Sequence, residues 1–486
     1  GIGATIMVWE YNPDPSDMIV PFDTGIGITF NQKIKAGSGN ITLRKDSSSG
    51  TVVENFGIGS SVTIAGNSLT IDPTSDLEES QVYHLSYPSG VITNMAGDNY
   101  VGTAYTFKSL AYDYQLWMWG RNNNGSGEGG GLGQNNLTSY SSPVQVPGTT
   151  WKKVQTSGSQ AVTLATKTDG TLWSWGYNEQ GQLGHNEAEK QYSSPVQLGS
   201  DTTWKDIALN SLLSSSATKT DGTLWVWGSG TYGNLGLNQP TGTRLSSPVQ
   251  IPGTTWDKPV SGYATRGAIK TDGTLWVWGR NNFGQLGLND INATWGGRSS
   301  PTQIPGTTWS NYKGSIGAQM AVKTDGTLWV WGENQNGEFG IPSISHEGKR
   351  SSPVQVPGTN WSTIISKNYR SSAAIKTDGT LWAWGWNTKG QLGQNDRTAR
   401  SSPVQVPGTT WDFVARAHYA YYATKTDGTL WSWGLGSYGR LGHNNTTDYS
   451  SPVQIPGTDW LTGTGYWEQF GVNNNEQIGV IKKVTP

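Results

Sequence analysis

Between residues 11 and 108, apolar and polar positions alternate in short runs. They are Ile26-Gly-Ile-Thr-Phe30, Ile41-Thr-Leu43, Ser61-Val-Thr-Ile64, Ser68-Leu-Thr-Ile71, Gln81-Val-Tyr-His-Leu-Ser86 and Thr103-Ala-Tyr-Thr-Phe107. Successive side chains of a strand point to opposite faces, so each run reads as a strand with one buried face. Clusters of Gly, Asn, Asp and Pro separate the runs. Short alternating strands at this spacing predict a β-sandwich over residues 11–108, preceded by a lead segment or linker at 1–10.

The pattern then changes to a repeat. Lys270-Thr-Asp-Gly-Thr-Leu-Trp-Val-Trp-Gly279 recurs with small changes, and its Trp-x-Trp-Gly core appears seven times between Trp117 and Trp433, at spacings of 49 to 56 residues. A repeat of this length is one supersecondary unit, which buries its apolar surface by stacking on its neighbours. The copy starting at Trp256 reads as four strands: Trp256–Val260, Gly267–Lys270, Thr274–Trp278 and Ser300–Ile304. Asp272-Gly273 supplies the tight turn between the second and third. Pro301 suits an outer edge, where no backbone N–H is needed. Four antiparallel strands, seven times over, predict a seven-bladed β-propeller across residues 109–486. The whole chain is therefore expected to be all-β.

Each blade packs on a neighbour through both faces, which explains why Leu and Trp recur on opposite faces of the third strand. Trp117 and Trp119 are expected in the core with Trp173, Trp175, Trp225, Trp227, Trp276, Trp278, Trp329, Trp331, Trp382, Trp384, Trp431 and Trp433. The first copy lacks the Lys-Thr-Asp-Gly strand and turn, while Gly479-Val-Ile-Lys482 stands unmatched near the C-terminus. Residues 460–482 are expected to complete the first blade and close the ring.

Two resemblances follow from these residues. The segments Ile28-Thr-Phe-Asn31, Gly39-Asn-Ile-Thr-Leu43, Asn67-Ser-Leu-Thr-Ile71 and Gly90-Val-Ile-Thr-Asn-Met-Ala-Gly-Asp98 resemble the Ig-like domain of bacterial surface-layer proteins. That resemblance implies an extracellular or virion spacer. The Asp-Gly turn, the Trp-x-Trp-Gly strand and the Gly-x-Leu-Gly loop, as in Gly181-Gln-Leu-Gly184 and Gly390-Gln-Leu-Gly393, resemble the repeats of the regulator of chromosome condensation family. That family's fold is a seven-bladed propeller, and its members include exchange factors and inhibitor proteins. Fold does not carry function with it.

Composition narrows the chemistry. A net charge of −2, with 14% charged residues, lacks the basic footprint of a nucleic-acid binder. The absence of cysteine removes thiolate ligands and thiol nucleophiles. No run approaches the length of a membrane span. The five histidines fall in different elements, and His185 and His443 occupy positions where other copies carry Gln134, Leu288 or Gln394. Gly125, Gly127 and Gly130 spell a phosphate-loop pattern without the helix that pattern requires. The aspartates Asp169, Asp221, Asp272, Asp325, Asp378 and Asp427 are periodic turn formers. No cofactor, metal or enzymatic activity is expected.

What distinguishes one copy from another lies in the connections. The segments after the first strand of each repeat are expected to gather at one end of the channel, so that Tyr263, Arg266, Tyr369, Arg370, His418, Tyr419 and Tyr421 form an aromatic and basic contact surface. A second variable set includes Trp295 and His346. Near-identical copies on a Gly/Asn/Thr/Ser-rich chain resemble bacteriophage appendage proteins: tail fibres, whiskers and capsid fibres. The expected function is a structural or binding protein on a virion surface, touching the host or another virion protein. The alternatives are a bacterial cell-surface adhesin and a regulator or inhibitor of a protein partner. The expected partner is a protein or a cell-surface glycan, with homo-oligomerisation or attachment to a larger assembly as further expectations.

Overall fold

Ile26, Ile28, Phe30, Ile41, Leu43, Leu69, Ile71, Tyr83 and Leu85 are all buried, while the residues between them reach solvent in part. The N-terminal alternation therefore has the one-sided burial that two facing sheets require. The computed structural model describes residues 7–12, 25–75, 77–101, 105–109, 112–123, 127–157, 161–210, 212–291, 297–315, 317–344, 348–366, 370–417, 419–461, 470–472 and 477–484. The chain divides into two compact units, residues 1–113 with 484–486, and residues 114–483.

In the first unit, one four-stranded antiparallel sheet runs in the order Val8–Asn12, Ile26–Phe30, Ser68–Ile71, Val62–Ala65. The other runs Tyr105–Lys108, Val82–Ser86, Asn40–Lys45, Val52–Gly57. Two strands differ from expectation. Val8–Asn12 is an edge strand paired with Ile26–Phe30, so these residues belong to the sandwich and not to a separate lead. Val52–Gly57 escapes the period-two pattern because Val52 and Val53 are both exposed and only Phe56 is buried.

The second unit contains seven four-stranded antiparallel sheets among the described residues. Blades 2 to 7 begin at Trp151, Trp204, Trp256, Trp309, Trp361 and Trp411. Blade 4 is typical, with Trp256–Ser261, Thr265–Lys270, Leu275–Arg280 and Gly297–Ile304 paired in that order. The strand carrying Pro301 lies at one edge, as the missing N–H requires. The strands opening consecutive blades touch one another around the ring, and Phe470–Val472 sits between those of blades 7 and 2. Blade 1 is assembled from both ends of the repeat array: Phe470–Val472, Gln477–Val484, Asp113–Gly120 and Tyr140–Gln145. The C-terminal strand thus closes the ring, as the unmatched Gly479-Val-Ile-Lys482 predicts.

The motif tryptophans divide into two classes, which corrects the expectation of a uniform core. The second of each pair, from Trp119 to Trp433, is fully buried, whereas the first, from Trp117 to Trp431, is half-buried. Alternation along the strand puts Leu275 and Val277 on one face, and the other face turns Trp278 into the seam while Trp276 reaches the rim. The buried indole N–H donates to a loop carbonyl of the preceding blade at all seven seams, at 2.7–3.0 Å; Trp278 to Asn234 is one example.

The half-buried tryptophan is held differently. In blades 2 to 7 its N–H donates to the threonine hydroxyl of the Asp-Gly-Thr turn, at 2.8–2.9 Å. That hydroxyl donates in turn to the aspartate, at 2.6–2.7 Å. Gly273 closes the turn with φ of 76°, which an L-residue adopts only under strain.

Candidate functional site

The blades share one backbone and differ in the side chains placed at one end of it. After the Trp-x-Trp-Gly of blades 2 to 7, the next residue's N–H bonds a carbonyl in the connection that follows the blade's opening strand. The pairs are Tyr177 to Ala161, Ser229 to Leu213, Arg280 to Ala264, Glu333 to Gly317, Trp386 to Arg370 and Leu435 to Tyr419, at 2.7–3.3 Å. The opening strand ends and the third strand ends at the same end of the blade, so these pairs lie together on one face. A fixed backbone that presents a different pair in each blade is a scaffold with a variable surface.

The face is rich in cations set over aromatic rings. Arg370 is exposed, adopts φ of 58° and holds its guanidinium 4.7 Å above the Trp386 ring. Arg121 lies 5.3 Å from the Tyr438 ring, and Tyr438 is 57% exposed. Arg280 sits between Tyr232 and Phe283, at 5.4 and 5.3 Å, and Lys349 covers Phe283 from 4.7 Å. Burial, with Glu338 nearby, pushes the Glu333 carboxyl above the usual carboxylate range. A positive φ at a non-glycine residue is locally costly, and Arg370 is kept there although its side chain reaches solvent.

The residues expected on this face separate into three groups. Arg370 is exposed, and Tyr263 and Tyr419 are half-buried. Arg266 and Tyr421 are buried and do not reach a partner. Both stand on second strands, one residue too deep to belong to a connection. Arg266 crosses the seam to the hydroxyls of Ser214 and Ser216 at 2.6–3.2 Å. Tyr421 stacks on Trp433 and shares a hydrogen bond of 3.1 Å with Ser371. Tyr369, His418, Trp295 and His346 lie outside the described residues.

Arg121, Tyr232, Arg280, Phe283, Trp386 and Tyr438 were not predicted. The residue just after Trp-Gly, which varies among the copies, is the signal that marks three of them.

His185 and His443 each make a 2.9 Å hydrogen bond to a third-strand serine, Ser174 and Ser432. Burial depresses the pKa of both imidazoles. Among the described residues no three His, Asp or Glu side chains converge as metal ligands would.

Comparison with known proteins places these features. Residues 98–418 match the RCC1-like domain, and residues 427–461 match the regulator of chromosome condensation (RCC1) repeat. Residues 5–110 match the bacterial Ig-like domain. The chain is 29% identical over 276 residues to the ultraviolet-B receptor UVR8 of Arabidopsis thaliana, covering 54% of this chain and 60% of the receptor. It is 32% identical over 238 residues to the RCC1 domain-containing mitochondrial protein RUG3 of the same plant, covering 47% and 52%. The matches thus span only part of these relatives' length. Among solved structures, Prp20p of Saccharomyces cerevisiae superposes with a TM-score of 0.64 at 19% identity, over 78% of this chain and 93% of that one. Human WBSCR16 gives 0.61 at 16% identity, over 77% and 100%. At these identities the likeness is one of fold.

Proposed function

Because the chain belongs to the RCC1-like domain family, we propose that it is a non-catalytic binding protein whose variable propeller face engages a protein partner. The observation that carries this reading is the set of cation–aromatic pairs on that face, above all Arg370 over Trp386 and Arg121 by Tyr438. Arg, Trp and Tyr are the residue types that dominate the energetics of protein interfaces. Prp20p, a relative in fold, is described by its binding to Gsp1p and histones, and in another solved structure it is bound to Kap60. Those proteins support a protein partner as the class. They do not transfer its identity to this chain.

The finer reading is display outside a cell. The bacterial Ig-like domain supports a spacer that holds the propeller away from a surface. On this proposal the chain sits on a bacteriophage particle, or else on a bacterial envelope, and the propeller face meets the host or a neighbouring surface protein.

The test has two arms. Virions and envelopes from the source culture are searched by mass spectrometry for peptides of this chain, and enrichment in neither overturns the display reading. Fluorescently labelled chain is then added to host cells. Saturable, protease-sensitive binding is expected, reduced roughly tenfold or more in the Arg370→Ser/Trp386→Ala/Tyr438→Ala variant. Equal binding by a variant with unchanged melting temperature overturns the assignment of the face.

A further inference from the structure

The seam between blade 7 and blade 1 is unlike the other six. In blades 2 to 7 the lysine ending the second strand caps the half-buried tryptophan, its ammonium 4.0–4.7 Å from the ring centre. In blade 1 that strand arrives from the C-terminal end, so no Asp-Gly turn joins it to Asp113–Gly120. Lys482 stands 5.9 Å from the Trp117 ring and 5.1 Å from the Trp460 ring. Gln115 replaces the turn threonine as acceptor of the Trp117 N–H, at 3.2 Å. The cap has been drawn back, and an open cleft of about 440 Å³ runs along the seam over Trp117.

The lining of the cleft has a definite chemical character. Trp117, half-buried, and Trp460, buried, form an aromatic wall. Exposed Ser142, Asn444 and Gln454 supply hydroxyl and amide groups that both donate and accept. Lys482 supplies a cation whose side chain is only 19% exposed, and its carboxylate neighbour Asp459, 3.5 Å away, is 53% exposed. Asp459 is the solvent-screened member of that pair, so a carboxylate entering the cleft can compete with it for the ammonium.

We propose that this cleft is a saccharide site, and that it takes a carboxylate-bearing pyranose such as a uronic acid unit. The C–H face of a pyranose carries slight positive charge and packs on the electron-rich face of an indole. The mixed donors and acceptors on the rim match sugar hydroxyls. The lysine, set farther from the rings than its counterparts in the other blades, meets the carboxylate. The volume falls within the range of small-molecule sites, ~300–1,000 Å³. The cleft stands on the outer seam and shares none of its residues with the variable face, so the two assignments fail or hold separately.

The test is saturation-transfer NMR on the full chain, with D-glucuronic acid and D-glucose as probes in millimolar excess. Transfer to the ring protons of both is expected, stronger for glucuronic acid. Lys482→Gln is expected to weaken glucuronic acid roughly tenfold and to leave glucose unchanged. Ser142→Trp fills the cleft from an exposed position and is expected to abolish both signals with the melting temperature held. That variant keeps the test alive if Lys482→Gln fails to fold. The Arg370→Ser/Trp386→Ala/Tyr438→Ala variant is expected to bind sugar as the parent does. Absence of transfer to either sugar, transfer that survives Ser142→Trp, or equal loss of both sugars in a folded Lys482→Gln overturns the proposal.

Discussion

The indole N–H of Trp119 donates to the backbone carbonyl of Arg440 at 2.7 Å, across 321 positions of sequence. The same bond joins each blade to the one before it, so this contact is the local rule of the repeat applied between the two ends of the array. The Tyr422 hydroxyl also donates to the Arg440 carbonyl, at 2.8 Å, as the hydroxyls of Thr163, Ser215 and Ser372 do to the latch carbonyls of Gly131, Gln182 and Glu338, whereas the Asn234 carbonyl takes the Trp278 indole with no side-chain hydroxyl beside it among the described residues.

That difference predicts unequal costs for one substitution at two seams. Trp278→Phe leaves the buried Asn234 carbonyl without the indole donor, at a cost of ~1–3 kcal/mol beyond the lost ring volume. Trp119→Phe leaves Arg440 still bonded to Tyr422 and is expected to cost less. Chemical denaturation of both variants checks the order, and equal losses would mean that the indole bond contributes nothing beyond packing.

The loop glycine beside each latch is the second sensitive point. Gly287 has φ of 68°, and a Cβ placed there would lie 2.9 Å from the indole nitrogen of Trp331. Gly287→Ala therefore combines backbone strain with a collision in a filled seam, for a loss of roughly 2–4 kcal/mol. A melting temperature within a degree of the parent would contradict this account.

Much of this architecture is legible before any coordinates, because repetition amplifies weak signals. One Asp-Gly turn suggests a hairpin, and six at a constant offset from Trp-x-Trp-Gly leave little else to build. Closure was readable for the same reason: Gly479-Val-Ile-Lys482 has a repeat's second strand and no repeat to belong to. The candidate face was harder. Arg266 and Tyr421 look like connection residues by type, yet each pairs with a seam tryptophan across two strands, Trp278 and Trp433, and is buried there. Period-two alternation decides this only once the strand's starting residue is known, and the irregular connections hide that start. The cleft by Trp117 was invisible to motif reading, since it arises from a turn that is missing.

Closure makes the C-terminal strand structural. Removing residues 477–486 exposes one edge of Asp113–Gly120 and deletes Ile478, Val480 and Ile481, all fully buried. Each buried aliphatic side chain contributes ~1.5–3 kcal/mol, and an open edge invites association. The truncated chain is expected to lose the propeller's cooperative unfolding transition and to aggregate, as read by calorimetry and light scattering. A monomer with the parent's melting profile would show that the ring does not depend on closure.

Arg266 gives a prediction of opposite sign. Its guanidinium is buried, bonds only the neutral hydroxyls of Ser214 and Ser216, and is pushed by burial down to about 9. A buried cation without a carboxylate is expensive to desolvate, and an apolar side chain of similar length often does as well or better. Arg266→Met is expected to match or exceed the parent's stability and to leave the variable face competent. A loss above ~3 kcal/mol would mean that the guanidinium holds the seam through more than these hydroxyl bonds.

The six turn aspartates make stability acid-sensitive in a definite window. The hydroxyl and backbone N–H of the threonine two residues on hold Asp221, Asp272, Asp325, Asp378 and Asp427 below the usual carboxylate range. At Asp169 burial works upward, and the bonds from Thr171 with Lys167 nearby outweigh it. A carboxylate whose folded pKa is depressed stabilises the fold above its unfolded value, here 3.8, and that contribution is lost as pH falls through the lower folded value. Six such groups lose it together, so melting temperature is expected to hold from pH 7 to about 4 and to fall steeply below. Asparagine keeps the acceptor oxygen and removes the charge. A variant with all six aspartates changed to asparagine is expected to melt lower at pH 7 and to fall less steeply below pH 4. If the two melting curves run parallel from pH 5 to 2, the turns do not carry the acid sensitivity, and other depressed carboxylates such as Asp201, held down to about 2 by Lys219 and Thr203 against the upward pull of burial, become the explanation.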